Sequence, residues 1–186
     1  MMWAMIDPRM QKLADVLINY SCALKAGEKV LIEAIDIPHE FTTTLVKAAH
    51  AAGGQALVLL KSGRVNRALM VGGGRPQWDA IADVERHQMK KVNCYIGVRG
   101  SPNVSELSDV PAGQQKIYEE TVWKRVHHEV RVKKTRWVVL RWPTPSMAQM
   151  AEMSTEAFED FFFNVCTLDY AKMSRAMQPL KKLMEK

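Results

Sequence analysis

Apolar and polar positions follow two patterns along the chain, one helical and one typical of buried strands. From Met10 to Ile18 the apolar residues recur every three or four positions, which predicts a helix that begins at Asp7-Pro8 and ends near Gly27. Short apolar runs predict buried strands, because both faces of such a strand pack against other elements. These runs are residues 29–34, 56–60, 92–98 and 136–142.

Helical patterns separate these four strands. Predicted helices lie at residues 38–52, 78–90 and 114–129, a glycine-rich segment at 63–76 is typical of a loop, and the C-terminal part is helical. Strands that alternate with helices predict an α/β fold with a mainly parallel sheet. We expect four or more strands flanked by helices, in a Rossmann-like, three-layer domain that spans residues 1–186.

The composition is that of an ordinary globular protein. No apolar run approaches the roughly 20 residues of a membrane span, and the first residues, MMWAMIDPRM, do not resemble a signal peptide. The three cysteines are scattered and form no C-x-x-C pair, so neither a disulfide framework nor a zinc knuckle is indicated. We therefore expect a cytoplasmic protein with no membrane partner.

The net charge of +6 is concentrated between Lys124 and Arg136. A solvated helix end, or a surface that meets an acidic partner, is the simpler interpretation of this basic segment. A nucleic-acid groove requires exposed aromatic side chains among the cations. Trp123 and Trp137 flank the segment, but their apolar surroundings are typical of a core, so nucleic acid is not an expected partner.

Methionines and carboxylates follow the last predicted strand. Ser146 and Gln149 have the spacing of a capping box, which predicts the start of a short helix. The methionines that follow at every third position favour core packing over a soft-metal site. The carboxylates that follow these methionines in the sequence indicate the exposed acidic face of a helix capped by Ser154, rather than a site for acid–base or metal chemistry. These two sets are Met147, Met150 and Met153, and Glu156, Glu159 and Asp160.

The five histidines form no recognised metal motif. His127, His128 and Glu129 are consecutive, and consecutive residues of a helix point in different directions. We therefore predict no metal site from this trio, and no catalytic residue is identified from spacing alone.

The ends of the predicted strands supply the best candidate for a binding site. Ligands of open α/β sheets bind beyond the carboxyl ends of the strands. The segment after the third strand is the most polar of these ends, and Arg99 is suited to a bidentate contact with a carboxylate. Arg99, Asn103 and Glu106 are therefore the candidate binding residues, although they also suit the internal organisation of their own loop.

Three segments resemble the N-terminal domain of the aminopeptidase T and aminopeptidase S family of metallopeptidases. They are IDPRMQKLADVLINYSCALKAGEKVLIEA, YIGVRGSPNVSELSDVP, and the long C-terminal segment TRWVVLRWPTPSMAQMAEMSTEAFEDFFFNVCTLDYAKMSRAMQPLKKLME. The resemblance extends from Ile6 to Glu185, and the PTPSMAQ and EAFEDFFF motifs are its most specific parts.

This resemblance implies an aminopeptidase that removes N-terminal residues from peptides with a pair of divalent metal ions, such as zinc or cobalt. In the family the Glu, His and Asp ligands lie in a C-terminal domain, whose motifs do not occur in this chain. We therefore assign no metal ligand and no catalytic residue here. The resemblance also implies homodimers, in which this domain forms part of the wall of an enclosed cavity.

Three hypotheses follow. The chain is the N-terminal part of a metallo-aminopeptidase and is inactive alone; or it is a stand-alone binding module that uses the basic segment; or it is an enzyme with a different site, built on residues 99–106. The first is the principal hypothesis.

Overall fold

The computed structural model describes residues 7–185, and its centre is a sheet of four parallel strands. The prediction of a parallel α/β sheet is confirmed. The spatial order of the strands is β2-β1-β3-β4, which the sequence did not reveal. The strands are β1 Lys29–Ile35, β2 Gln55–Lys61, β3 Cys94–Arg99 and β4 Arg136–Arg141.

Helices cover both faces of the sheet and follow the strand-and-helix alternation of the sequence. Two of them change into π-helices at their C-terminal ends: α1 continues as Val16–Ser21, and α5 continues as Glu119–Val132, called the long π-helix below. The helices are α1 Pro8–Asp15, α2 His39–Ala51, α3 Gly63–Gly72, α4 Arg75–Met89, α5 Ala112–Tyr118, α6 Pro145–Met150, α7 Thr155–Cys166 and α8 Tyr170–Met184.

Two hydrophobic cores lie on opposite sides of the sheet. Successive residues of a strand point to opposite faces, so Ile32 belongs to the core beneath α1, α2 and α7, while Leu31 belongs to the core beneath α4 and the long π-helix. Glu33 shares the face of Leu31 and is only 3% exposed. A charged side chain thus lies within the second core.

The strand order defines a crevice at the carboxyl edge of the sheet. From β1 the chain proceeds to β2 at one edge, and from β3 it proceeds to β4 at the other. The connections therefore diverge between β1 and β3, which is the position where open α/β sheets bind ligands.

Two predicted boundaries in the first half of the chain are wrong. Residues 63–72, expected to be a loop, form α3: the side chain of Asp36 accepts the Gly63 N–H at 2.6 Å, and Met70 packs into the second core. The first helix ends at Ser21 rather than near Gly27, which instead has a φ of +79° in the turn before β1. The predicted N-cap at Asp7 is confirmed, since its carboxylate accepts the Arg9 N–H.

The short helix after β4 also differs from prediction. Thr144, not Ser146, is its N-cap, because Pro145 occupies the first helical position and has no N–H to be satisfied. Its buried residue is Ala148, whereas Met150 is 69% exposed and Met153 38% exposed. The prediction that these two methionines pack in the core is therefore wrong.

The tryptophans that flank the basic segment are not core residues either. Trp123 is 48% exposed and stacks on His128, and Trp137 is 43% exposed because β4 is an edge strand. Within residues 7–185, no helix combines the length and the apolar character that crossing a membrane requires. The absence of a signal peptide concerns residues that mostly lie outside the described part.

Candidate functional site

The crevice at the carboxyl edge of the sheet has a volume of about 380 Å³. The ends of all four strands, the start of α3 and the loop after β3 contribute to its wall. Charged side chains of both signs line it, together with apolar residues such as Ile35 and Met70. The charged residues are Glu33, Asp36, Lys61, Arg64, Arg99, Glu106 and Arg141.

All three residues singled out from the sequence line this crevice, but they differ in their contacts. Asn103 donates a side-chain N–H to Glu106 Oε2 at 3.4 Å, and its own Oδ1 accepts the Ser105 N–H at 3.0 Å. Asn103 and Glu106 thus organise their own loop. Arg99 has a buried Nε for which the residues described here offer no hydrogen-bond acceptor. Arg99 therefore remains the strongest binding candidate of the three.

Beneath the crevice lies a buried network of ionisable side chains that the sequence analysis missed. Lys61 Nζ, at the end of β2, lies 2.6 Å from Glu85 Oε1 of α4 and 3.4 Å from Glu33 Oε2 of β1. His127 of the long π-helix lies against the same carboxylates. One ammonium group is thus enclosed by two carboxylates and an imidazole.

The protonation states in this network follow from burial and from neighbouring charges. Burial by itself would lower the pKa of Lys61, but the carboxylates of Glu33 and Glu85 outweigh burial, and the pKa is raised. Burial, with the positive charges of Arg131 and Arg99, lowers the pKa of His127 from 6.5 to about 4. At neutral pH the network therefore contains a charged lysine and a neutral histidine.

Arg131 covers this network on the side of β3 and β4. Its guanidinium lies 5.2 Å from the centre of the Tyr95 ring and 4.5 Å from that of Trp137. Its Nε donates to His127 Nδ1 at 3.2 Å. This hydrogen bond determines which nitrogen of the neutral imidazole is the acceptor.

Glu33, Glu85 and His127 also meet the geometric requirement for a metal site. One ligand atom from each lies within 4.8 Å of the others. They do not fit a pair of divalent ions, however, because three ligands are too few for two ions and the Lys61 ammonium already lies between the carboxylates. The arrangement is better described as a buried ion pair than as a metal centre.

One signal in the sequence pointed to this network. After the exposed Lys29 at its start, Glu33 is the only charged residue of β1, and a buried charge requires a partner. Glu85 and His127 gave no such signal, since each is one polar residue of an amphipathic helix. As expected, His128 points away from His127 and is exposed.

The basic segment does not form one cationic surface. Arg125 pairs with Asp79 at 2.8 Å and with Asp83, while Arg136 pairs with Glu28. Arg131 is buried. Of the six cations in this segment, ion pairs and burial thus engage three, which weakens the case for a binding module built on this segment.

Two of the three carboxylates predicted to form an exposed face of α7 are exposed, whereas Glu159 is half-buried. Glu156 and Asp160 are exposed, and Asp160 pairs with Arg9 of α1.

A sequence model of the family described as "Thermophilic metalloprotease (M29)" matches residues 6–186. No curated protein sequence matches significantly. The fold resembles that of wild-type AmpT from Thermus thermophilus, with a TM-score of 0.66 and 16% identity over 86% of this chain and 43% of that chain.

A second solved structure is less similar. It is an alcohol dehydrogenase superfamily protein from Novosphingobium aromaticivorans, with a TM-score of 0.36 and 10% identity over 88% of this chain and 49% of that chain. At so low a score the likeness does not bear on function. The chain spans less than half the length of AmpT.

Proposed function

Because this chain belongs to the thermophilic metalloprotease (M29) family, we propose that it is part of a metal-dependent aminopeptidase that removes N-terminal amino acids from peptides. The observation that carries this proposal is the family match over nearly the whole chain. The similarity to AmpT supports the corresponding fold.

Within such an enzyme, this domain forms part of a cavity wall and of the assembly surface, and the divalent metal ions are held by other residues. When bound, a pair of zinc or cobalt ions supplies a water activated for attack on the peptide bond. The buried network does not fit a metal pair, because Lys61 already provides the positive charge between Glu33 and Glu85, and this supports the division of roles. The residues of this chain therefore shape the site rather than perform hydrolysis.

We also propose a homo-oligomer in the cytoplasm. Several large apolar side chains of α7 and α8 are exposed, including Phe161, Leu180 and Leu183, and a patch of this kind is typical of an interface. The cysteines are free thiols, which suits a reducing compartment.

An activity assay with a chromogenic leucine substrate tests these roles. The 186-residue chain should show no turnover with added cobalt or zinc, whereas the full-length natural gene product should release leucine in a reaction that a chelator abolishes. Chelator-sensitive turnover by the 186-residue chain would refute its passive role. A full-length product that leaves leucine substrates intact would refute the aminopeptidase assignment.

A further inference from the structure

We propose that the crevice binds the carboxylate group of a small molecule between Arg99 and Arg141. These two residues are partners in the parallel register of β3 and β4. Side chains of paired residues project from the same face of a sheet, and neighbouring strands are about 4.8 Å apart. Both arginines line the same cavity. Two guanidinium groups are therefore presented side by side at the carboxyl edge.

The three arginines of the crevice have no carboxylate partner among the described residues, whereas the crevice carboxylates already have donors. Within residues 7–185, no carboxylate lies within ion-pair distance of Arg64, Arg99 or Arg141, although nearby Arg67 does pair with Asp109. The carboxylates that line the cavity, in contrast, have donors. Glu33 accepts from Lys61, Asp36 accepts the N–H of Gly63, and Glu106 accepts from the amide of Asn103.

The buried Nε of Arg99 is the second observation. Buried nitrogen atoms of this kind nearly always have a hydrogen-bond acceptor. No described residue accepts from the Nε of Arg99, and the nearby Tyr95 hydroxyl likewise has no partner. A planar carboxylate suits the fork of a guanidinium group, which donates two parallel hydrogen bonds. An anion in the crevice would therefore satisfy a donor that the fold leaves unsatisfied.

The size and lining of the crevice define the rest of the ligand. A volume of about 380 Å³ is near the lower end of the range for small-molecule sites, roughly 300–1,000 Å³. Ile35, Met70, Val104 and Leu107 supply apolar wall beside the arginines. The best-suited ligand is thus a small aliphatic carboxylate, either a free carboxylic acid or the C-terminus of a short peptide.

Isothermal titration calorimetry on the 186-residue chain tests this inference without any metal or turnover, so its outcome is separate from that of the proposed function. The probes are 4-methylpentanoate and its uncharged amide, at constant ionic strength. The acid should bind and the amide should not. Equal binding of the two, or no binding of the acid, would overturn the proposal.

Two variants and a matched control locate the site. Arg99→Lys keeps the charge but loses the fork, and Arg141→Gln removes a charge at an exposed position. Each should weaken binding about tenfold or more, because a hydrogen bond to a charged group is lost. Arg175→Gln removes one charge from the exposed helix α8 and should leave binding unchanged. Equal affinity in all three variants would place the carboxylate elsewhere and refute the assignment.

Three further ligands identify the source of the carboxylate. A leucine-containing tripeptide with a free C-terminus, compared with its C-terminal amide, reports whether peptides use the site. Tighter binding of the free-acid tripeptide than of 4-methylpentanoate supports a peptide C-terminus, and the reverse order supports a free acid. Inorganic phosphate that binds in place of both would contradict a carboxylate site.

Discussion

Replacing Lys61 with methionine tests whether the buried network is held together by its single ammonium group. Methionine is about as long and as apolar as the stem of the lysine, and it lacks the charged, hydrogen-bond-donating ammonium group. The ammonium nitrogen lies 2.6 Å from one carboxylate oxygen and 3.4 Å from another. At an effective dielectric constant of about 20, these separations correspond to attractions of about 6 and about 5 kcal/mol.

The expected decrease in the free energy of unfolding is smaller than these attractions, because burying the ammonium group already destabilises the wild-type protein. Breaking a buried ion pair by removing one partner typically costs about 3–5 kcal/mol, since the other charge is left uncompensated. We expect a decrease of that size in the free energy of unfolding of Lys61→Met, measured by urea denaturation followed by circular dichroism. Two carboxylates are left unpaired, so the upper part of this range is expected.

A matched control and a second variant make the result interpretable. Lys47→Met changes an exposed lysine of α2 and should alter stability by less than about 0.5 kcal/mol. Adding Glu85→Gln to Lys61→Met removes one of the two unpaired charges and should restore part of the stability. A Lys61→Met protein as stable as Lys47→Met would refute the view that the network depends on this cation.

Three other predictions concern the same region. Zinc should stabilise Lys61→Met more than the wild-type protein in thermal denaturation, because Glu33, Glu85 and His127 then lack a competing cation; equal shifts would contradict this. The pKa of His127 is lowered to about 4, so its neutral imidazole favours the folded state at neutral pH. The contribution of His127 to the free energy of unfolding should be complete above about pH 6.5 and should fall by about 3 kcal/mol towards pH 4. His127→Gln should flatten that dependence in urea titrations, and an unchanged slope would assign it to other groups. Gly100→Ala should lower the free energy of unfolding by about 1–3 kcal/mol, since the added Cβ would lie 2.0 Å from a backbone oxygen. Gly113→Ala in α5 places its Cβ more than 4 Å from any such atom and should raise the free energy of unfolding by about 0.5–1 kcal/mol. Similar effects at both glycines would show that the close contact at Gly100 is relieved at little cost.

The reason Gly100 is restricted lies in the path of the chain at the crevice. Its N–H donates to the Ile35 carbonyl at 2.7 Å, and the Asp36 carbonyl occupies the space where a side chain would begin. The end of β1 and the end of β3 are thereby held together at the point where the connections diverge. The wall of the crevice depends on this close approach.

The class of fold was predictable because it depends on local periodicity. β1 is a short apolar run, and the apolar residues of the α2 and α4 segments have helical spacing. About ten residues of sequence are therefore enough to predict whether such an element is a strand or a helix. The polar loop after β3 was also recognisable, since ligands of such sheets bind at strand ends. Arg99 was therefore singled out from the sequence as a candidate, and the structure places it in the wall of the crevice.

The remaining features depend on residues that are far apart in the chain and meet only in the folded domain. Lys61, Glu85 and His127 converge on Glu33 because β2 pairs with β1 and because α4 and the long π-helix cover the same face of the sheet. No local pattern encodes that arrangement. Arg141 becomes a neighbour of Arg99 through the register of β3 and β4. Burial at an edge strand likewise depends on what covers it, which is why Trp137 was mistaken for a core residue. Local side-chain patterns thus determined the elements, whereas long-range packing decided which charges face one another.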